Sequence, residues 1–372
     1  MAMENIKDFT LPALESWLAA HGEKPFRARQ IFQWLYQHRV TEFAQMTSLS
    51  KPLRETLAER FHPGNLEAVA RAESSDGSTK FAFALSDGRQ VETVLMPNLT
   101  HYTVCVSTQV GCAMGCDFCA TARMGLVRNL SAGEIVQQVV EVSRALTGDM
   151  FVRNVVFMGM GEPLHNFDNL TAALAILQED HGFGLSARRL TVSTSGLVPA
   201  IRRYAREGIR ANLAVSLNAV DDATRTRLMP VNKRWNIAAL LEACREVPAE
   251  NRYRITFEYV LMEGLTDDLG AADKLVRLLH GFKCKVNLIP YNAYPGSPYR
   301  PPSLEHAQAF QRILLDRGVL ATIRISKGQD IQAACGQLVQ AGRRNMPEGA
   351  RPLIMPRRSE RHAGEAVSAH KG

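Results

Sequence analysis

Apolar residues along this chain follow first one period and then another. In FRARQIFQWLYQ (26–37) Phe26, Ile31, Trp34 and Leu35 fall near helical spacing, and KPLRETLAERF (51–61) is a second stretch of the same kind. Residues 1–65 therefore read as a small N-terminal helical domain with basic faces that leaves near Gly64. It is either an RNA-contacting domain or a core-packing extension with solvated arginines. Over 66–100 the period shortens. KFAFAL (80–85) and RQVETVLM (89–96) alternate or run apolar, and Asp76-Gly77 and Asp87-Gly88 are hairpin turn signals. A short antiparallel β unit is expected there, leading into the main domain.

From 101 to 342 apolar strands alternate with helical stretches. The strand candidates are YTVCVST (102–108), NVVFMG (154–159), RLTVSTSG (189–196), NLAVSLN (212–218), RITFEYV (254–260), KVNLIPYN (285–292) and TIRIS (322–326). Helices are expected near 132–146, 168–179, 199–207, 238–246, 268–280 and 304–317, the first opened by a Ser131/Glu134 capping box. Continuous apolar strands alternating with helices predict an α/β fold with a helix-covered parallel sheet. Six or seven units are fewer than an eightfold barrel needs, so a partial (β/α)6 barrel is predicted, with its reactive loops at the carboxyl ends of the strands. Residues 343–372, rich in Arg, Pro and Gly, read as a basic, mostly disordered tail, either a polyanion-binding arm or simply solvated.

Composition adds limits. The 372 residues are 46% hydrophobic and 22% charged, as expected of an enzyme with a sizeable core. No apolar run approaches a membrane span, so no membrane partner is expected. The start, MAMENIKDFTLPAL, shows no secretory pattern, and seven cysteines without one suggest a reducing cytoplasm in which clustered thiols bind metals. A net charge of +7 admits a polyanionic partner but does not demand one.

The candidate chemistry centres on GCAMGCDFC, where Cys112, Cys116 and Cys119 stand in C-x3-C-x2-C spacing, with Cys105 upstream. Three thiolates in one loop can hold a four-iron cluster and leave one iron open. The competing reading is a zinc site completed by Cys105 or His101, although zinc sites usually pair C-x2-C units and only one is present. GMGEPL (159–164), STSG (193–196), SLN (216–218) and YN (291–292) end other predicted strands in small polar groups, which suggests a polar ligand.

The C-x3-C-x2-C loop after the first predicted strand resembles the signature of radical S-adenosylmethionine (SAM) enzymes. That resemblance implies a [4Fe-4S] cluster on Cys112, Cys116 and Cys119, with SAM on the open iron and cleaved to a 5′-deoxyadenosyl radical. The runs VETV, CVSTQVGC, GCDFCATA, GMGEPLHN, GFGLSARRLTVSTSG, LMPVNK, NLIPYNAYPG and DIQAACGQL occur in order and resemble the RlmN/Cfr family. They look most like its RlmN-type members, which methylate carbon 2 of an adenosine in large-subunit (23S) ribosomal RNA and also act on transfer RNA next to the anticodon. Carbon 2 of adenine is electrophilic and has no acidic proton, so it needs a radical route. The resemblance implies two SAM per turnover. One methylates Cys335, and the other yields the radical that activates that methyl group for addition to the ring. It further implies Glu92 as the base for the ring proton, and Cys105 as the thiol that frees the product by forming a disulfide with Cys335. SAM contacts carry over to Gly161, Glu162, Ser193, Ser216, Leu217, Asn218 and Asn292; Asn218 departs from the family's usual Ser-Leu-His.

The resemblance also implies an electron donor such as flavodoxin or ferredoxin, and a monomer is expected. Cys244 and Cys284 lack motif support and are assigned to the core. Two alternatives remain at this point: Cfr-type methylation at carbon 8, and a non-enzymatic zinc-bearing RNA-binding module. The Pro of GMGEPL and the Leu-Ile-Pro before Tyr291 favour the carbon 2 group. Arg188-Arg189, Arg202-Arg203 and the loop NAYPGSPYRPP (292–302) are weaker candidates for RNA contact, and a target base must leave its stack to enter a barrel.

Overall fold

The structure is a computed structural model that describes residues 3–146, 150–248 and 255–339. The tail expected at 343–372 lies outside the described residues. Ten strands make one continuous sheet, and their spatial order follows their order in the chain. They are β1 (Glu67–Glu73), β2 (Thr79–Ala84), β3 (Gln90–Pro97), β4 (Tyr102–Cys105), β5 (Val152–Phe157), β6 (Leu190–Thr194), β7 (Asn212–Ser216), β8 (Ile255–Leu261), β9 (Cys284–Pro290) and β10 (Ala321–Ile323). From β4 to β10 all pairing is parallel; from β1 to β4 it is antiparallel.

The N-terminal segment forms α1 (Leu11–Ala20), α2 (Arg27–Phe32) and α3 (Lys51–Arg60). Between the parallel strands lie α4 (Ala132–Arg144), α5 (Phe167–Gln178), α6 (Val198–Arg206), α7 (Asp222–Leu228), α8 (Ile237–Glu246), α9 (Leu269–Leu278) and α10 (Leu304–Asp316). Each parallel strand is thus separated from the next by helix, which is the expected α/β partial barrel. Buried strand residues such as Val155, Phe157, Val192, Val215, Phe257 and Leu288 supply the core. The Ser131/Glu134 capping box forms at the start of α4. Among the described residues no helix is long and apolar enough to cross a membrane.

Three features differ from the sequence reading. The antiparallel unit does not stand apart: β3 pairs with β4, Val94 opposite Cys105, so the barrel sheet continues through it. Cys105 is the last residue of β4, not a mid-strand residue. A short helix, α7, was not expected, because its DATRTRL sequence has almost no apolar stripe.

The helical N-terminal segment docks on α4. The Asp8 carboxylate accepts from the Gly133 amide at 2.6 Å, where a Cβ would meet Asn5 Nδ2 at 2.6 Å. Lys7 is fully buried and donates to the Gly64 carbonyl at 2.9 Å and to that of Pro63. The Arg144 guanidinium donates to the Arg39 carbonyl.

Candidate active site

A cavity opens at the carboxyl ends of the parallel strands. Its walls hold Cys112, Cys116 and Cys119, then Gly161 and Glu162 after β5, and Ser193 on β6. Ser216 and Asn218 come from the end of β7, Asn292 from beyond β9, and Cys335 from the segment after β10. Of the residues to which the resemblance gives a catalytic, SAM-binding or cluster role, Glu92, Cys105 and Leu217 do not line it. Leu217 is fully buried and offers its backbone carbonyl to Arg225.

The cysteine loop is pinched at its base. Gln109–Gly111 pairs with Leu126–Asn129, and the Cys112 amide donates to the Gly125 carbonyl at 3.0 Å. Gly111 has φ +73°, and a Cβ there would sit 1.8 Å from that same carbonyl oxygen, so no other residue fits. Burial pushes the Cys112 thiol up to about 12; burial and then the Cys119 and Cys112 thiols push Cys116 upward, and burial raises Cys119 against hydrogen bonds from Ala122 and Thr121. Thiols in such surroundings become thiolates when a cationic centre binds them.

This donor set fits a cluster. Cys112, Cys116 and Cys119 line one cavity, and the Cys119 and Cys112 thiols both act on Cys116. Neither proposed fourth zinc ligand joins the loop. His101, before β4 at the opposite end of the sheet, contacts Thr100 and Asn154, and Cys105 faces a different cavity.

Glu162 is buried, and its carboxylate accepts from the Ser195 amide at 2.7 Å and the Leu164 amide at 3.1 Å. Burial raises its pKa, and these bonds oppose the rise. Asn218 has φ +57°, a left-handed conformation that asparagine tolerates better than most residues. Its Oδ1 accepts from the Val260 amide at 3.0 Å, so the side chain braces β8 against β7. Arg225, also buried, gathers the carbonyls of Ser195, Ser216 and Leu217 at 2.8, 3.0 and 3.0 Å, which ties the ends of β6 and β7 together.

The segment carrying Cys335 lines the cavity and is fastened on several sides. The Ala120 amide donates to the Gly336 carbonyl at 2.7 Å, and Asn292 Nδ2 to that of Cys335 at 3.1 Å. Gln337 Nε2 reaches the Ala293 carbonyl at 2.6 Å. From the antiparallel strands, Glu92 Oε2 accepts from the Val339 amide at 2.9 Å, and Lys80 Nζ donates to the Gln332 carbonyl at 3.1 Å. A smaller cavity behind this segment is lined by Cys105, Cys335, Met158 and Arg324. Both cysteines are free thiols. Burial, reinforced by Cys335, raises the Cys105 pKa to about 12. Glu92 is 4% exposed; burial raises its pKa, and Lys80 at 3.0 Å opposes the rise.

Sequence reasoning missed Arg225, Lys80, Glu258 and Arg324. The available signal for the last two was a charge inside an otherwise apolar strand, FEYV and TIRIS. Cys244 is buried as expected, whereas Cys284 is half-buried.

Residues 4–62 match the family described as the ribosomal RNA large subunit methyltransferase N-terminal domain, and residues 106–275 match the radical SAM superfamily. A dual-specificity RNA methyltransferase RlmN from Pelobacter propionicus is 48% identical over 90% of this chain and 95% of its own length. One from Geobacter sulfurreducens is 49% identical over 90% of this chain and 92% of its own length. The crystal structure of a radical SAM methyltransferase from Sphaerobacter thermophilus superposes with a TM-score of 0.84 at 48% identity. It covers 90% of this chain and 99% of its own.

Proposed function

This chain belongs to the RlmN family of radical SAM RNA methyltransferases, and from that premise we propose that it methylates carbon 2 of an adenosine in large-subunit ribosomal RNA and in transfer RNA, with Cys335 as carrier of the methyl group. One observation carries the reading: the cavity walled by Cys112, Cys116 and Cys119 also contains Cys335, and Cys105 lies behind it in the adjoining cavity. Cys112, Cys116 and Cys119 would hold a [4Fe-4S] cluster, which would supply the electron that cleaves SAM.

The remaining roles fall to the chain's own groups. Glu162, Ser193, Ser216, Asn292 and the backbone at Gly161, Leu217 and Asn218 orient SAM. The Cys335 sulfur accepts a methyl group from one SAM and, after loss of a hydrogen atom, delivers it to the ring as a methylene. Glu92 takes the ring proton; its carboxylate is held by Lys80 and Val339, so a shift of the Cys335 segment releases it toward the base. The ring adduct gives back the electron spent in cleaving SAM. Cys105 then attacks the Cys335 sulfur, and the S–C bond breaks with its electron pair on the product's methylene carbon. That carbon takes a proton to become the methyl group, and a Cys105–Cys335 disulfide remains. An electron donor such as flavodoxin or ferredoxin supplies the two electrons that, with two protons, return the disulfide to the two thiols.

Anaerobic reconstitution with iron and sulfide, followed by SAM and RNA, tests this. Expected are one methyl group on the Cys335 peptide by mass spectrometry, 2-methyladenosine in the RNA, and one S-adenosylhomocysteine and one 5′-deoxyadenosine per methylated base. Normal RNA methylation by Cys335→Ala refutes the carrier role. A product of 8-methyladenosine moves the attack to the other ring carbon.

A further inference from the structure

The cavity contains two opposite charges for which the catalytic sequence above has no use. Glu258 lies on β8, in register with Ser216 of β7 and Asn287 of β9. It is 5% exposed. Its Oε1 accepts from Asn287 Nδ2 at 2.9 Å, while its Oε2, equally buried, has no hydrogen-bond partner. Arg324, just beyond β10, lines the same cavity and the smaller one that holds Cys335 and Cys105. Its guanidinium reaches the Met158 sulfur at 3.6 Å, and the charges of Cys335, Glu258 and Cys105 all act on it. A buried carboxylate oxygen without a donor is costly, and a ligand that supplies the donor removes the cost.

Together the two groups present a hydrogen-bond acceptor and a hydrogen-bond donor to whatever fills the cavity. An adenine edge is the complement: its 6-amino group donates, and the adjacent ring nitrogen accepts. Guanine places an oxygen at position 6, and against a carboxylate that oxygen is repelled. The ring nitrogen engaged also decides which carbon meets the sulfur, because Arg324 shares the smaller cavity with Cys335. N1 adjoins carbon 2, and N7 adjoins carbon 8.

Resting on the function proposed above, we propose that Glu258 accepts a hydrogen bond from the 6-amino group of the target adenine while Arg324 donates to its N1. The pair thereby selects adenine over guanine and presents carbon 2 to Cys335.

The test uses reconstituted wild-type enzyme and RNA hairpins whose target adenosine is replaced by purine riboside, 1-deazaadenosine or 7-deazaadenosine. Each is scored as a competitor of the unmodified hairpin, so that altered ring reactivity does not enter. Purine riboside lacks the 6-amino group and 1-deazaadenosine lacks N1. Both are expected to compete about tenfold to a hundredfold less well, and 7-deazaadenosine as well as adenosine. In Glu258→Gln, RNA methylation is expected to fall about tenfold further than formation of methyl-Cys335. Equal competition by all hairpins overturns the proposal, as does a loss confined to 7-deazaadenosine. An equal fall of both Glu258→Gln products assigns Glu258 to SAM instead and also overturns it. If wild-type enzyme forms no methyl-Cys335, the underlying function fails; if it does and the competitors are indistinguishable, only this recognition fails.

Discussion

The buried Glu92 carboxylate and the half-buried Lys80 ammonium form an ion pair at 3.0 Å across the antiparallel strands β3 and β2. The same ammonium donates to the Gln332 carbonyl, so one lysine holds both the proposed base and the segment carrying Cys335.

Removing that ammonium changes the pH profile in a defined direction. Burial raises the Glu92 pKa and Lys80 lowers it, and the base acts only when ionised. In Lys80→Met the pKa rises further, and the acid limb of the kcat/KM profile for RNA is expected to move to higher pH by about one unit or more. Lys80→Arg retains the charge and is expected to stay near wild type. An acid limb that does not move in Lys80→Met removes Glu92 as the titrating base.

The Cys335 segment is also fastened through aspartates. Asp76 accepts from the Gly328 amide at 2.9 Å, and Asp330 holds the Ser74 hydroxyl at 2.6 Å and the Ser75 amide at 3.0 Å. Burial works to raise the Asp76 pKa, but hydrogen bonds from Gly328, Ser78 and Ser74 outweigh it and hold the group at about 2. A carboxylate with a depressed pKa stabilises the fold above its ordinary range near 3.8, and that contribution is lost as pH falls toward about 2. In the double variant Asp76→Asn, Asp330→Asn, amides of 327–339 are expected to exchange with deuterium about tenfold faster, with iron content unchanged. Unchanged exchange there means that other contacts hold the segment.

Arg225 predicts a structural defect. Arg225→Leu leaves the carbonyls of Ser195, Ser216 and Leu217 without their donor in the interior. A loss of about 3 kcal/mol is expected, measured by denaturant unfolding of the apoprotein. A loss below about 1 kcal/mol shows that water or backbone movement satisfies these groups.

Cys105 is expected to be inert in the resting enzyme. With its pKa pushed up to about 12 by burial, little thiolate exists at neutral pH. Iodoacetamide is expected to label it roughly a thousandfold more slowly than an unfolded-chain cysteine, read by peptide mass spectrometry. In Cys105→Ala, RNA is expected to remain covalently attached to the protein, as a denaturant-resistant band. Free product at the wild-type rate removes Cys105 from the release step.

Much of the barrel was legible because buried parallel strands leave continuous apolar runs, and all seven runs from YTVCVST to TIRIS form strands. The cysteine loop was legible because its spacing is local. Contacts between strands were not. No sequence period reports that β3 would extend the barrel sheet, that Lys80 would meet Glu92, or that Glu258 and Arg324 would face one cavity. Asn218 shows the same limit. Its left-handed backbone and its bond to Val260 explain why a small amide serves there, but both become visible only once β7 and β8 are side by side.

The segment after β10 has a consequence for how the protein matures. A chain leaves the ribosome N-terminus first, at roughly 5–20 residues per second, so the loop with Cys112, Cys116 and Cys119 emerges long before Cys335. Ala120, next to the last cysteine of that loop, is bonded to Gly336, so the loop receives this contact only after the final segment has been made. During that interval the cysteine loop is open to iron and sulfide donors, and the thiol destined to carry the methyl group has not yet been made. The order of synthesis thus presents the three thiols of the loop before the thiol that carries the methyl group.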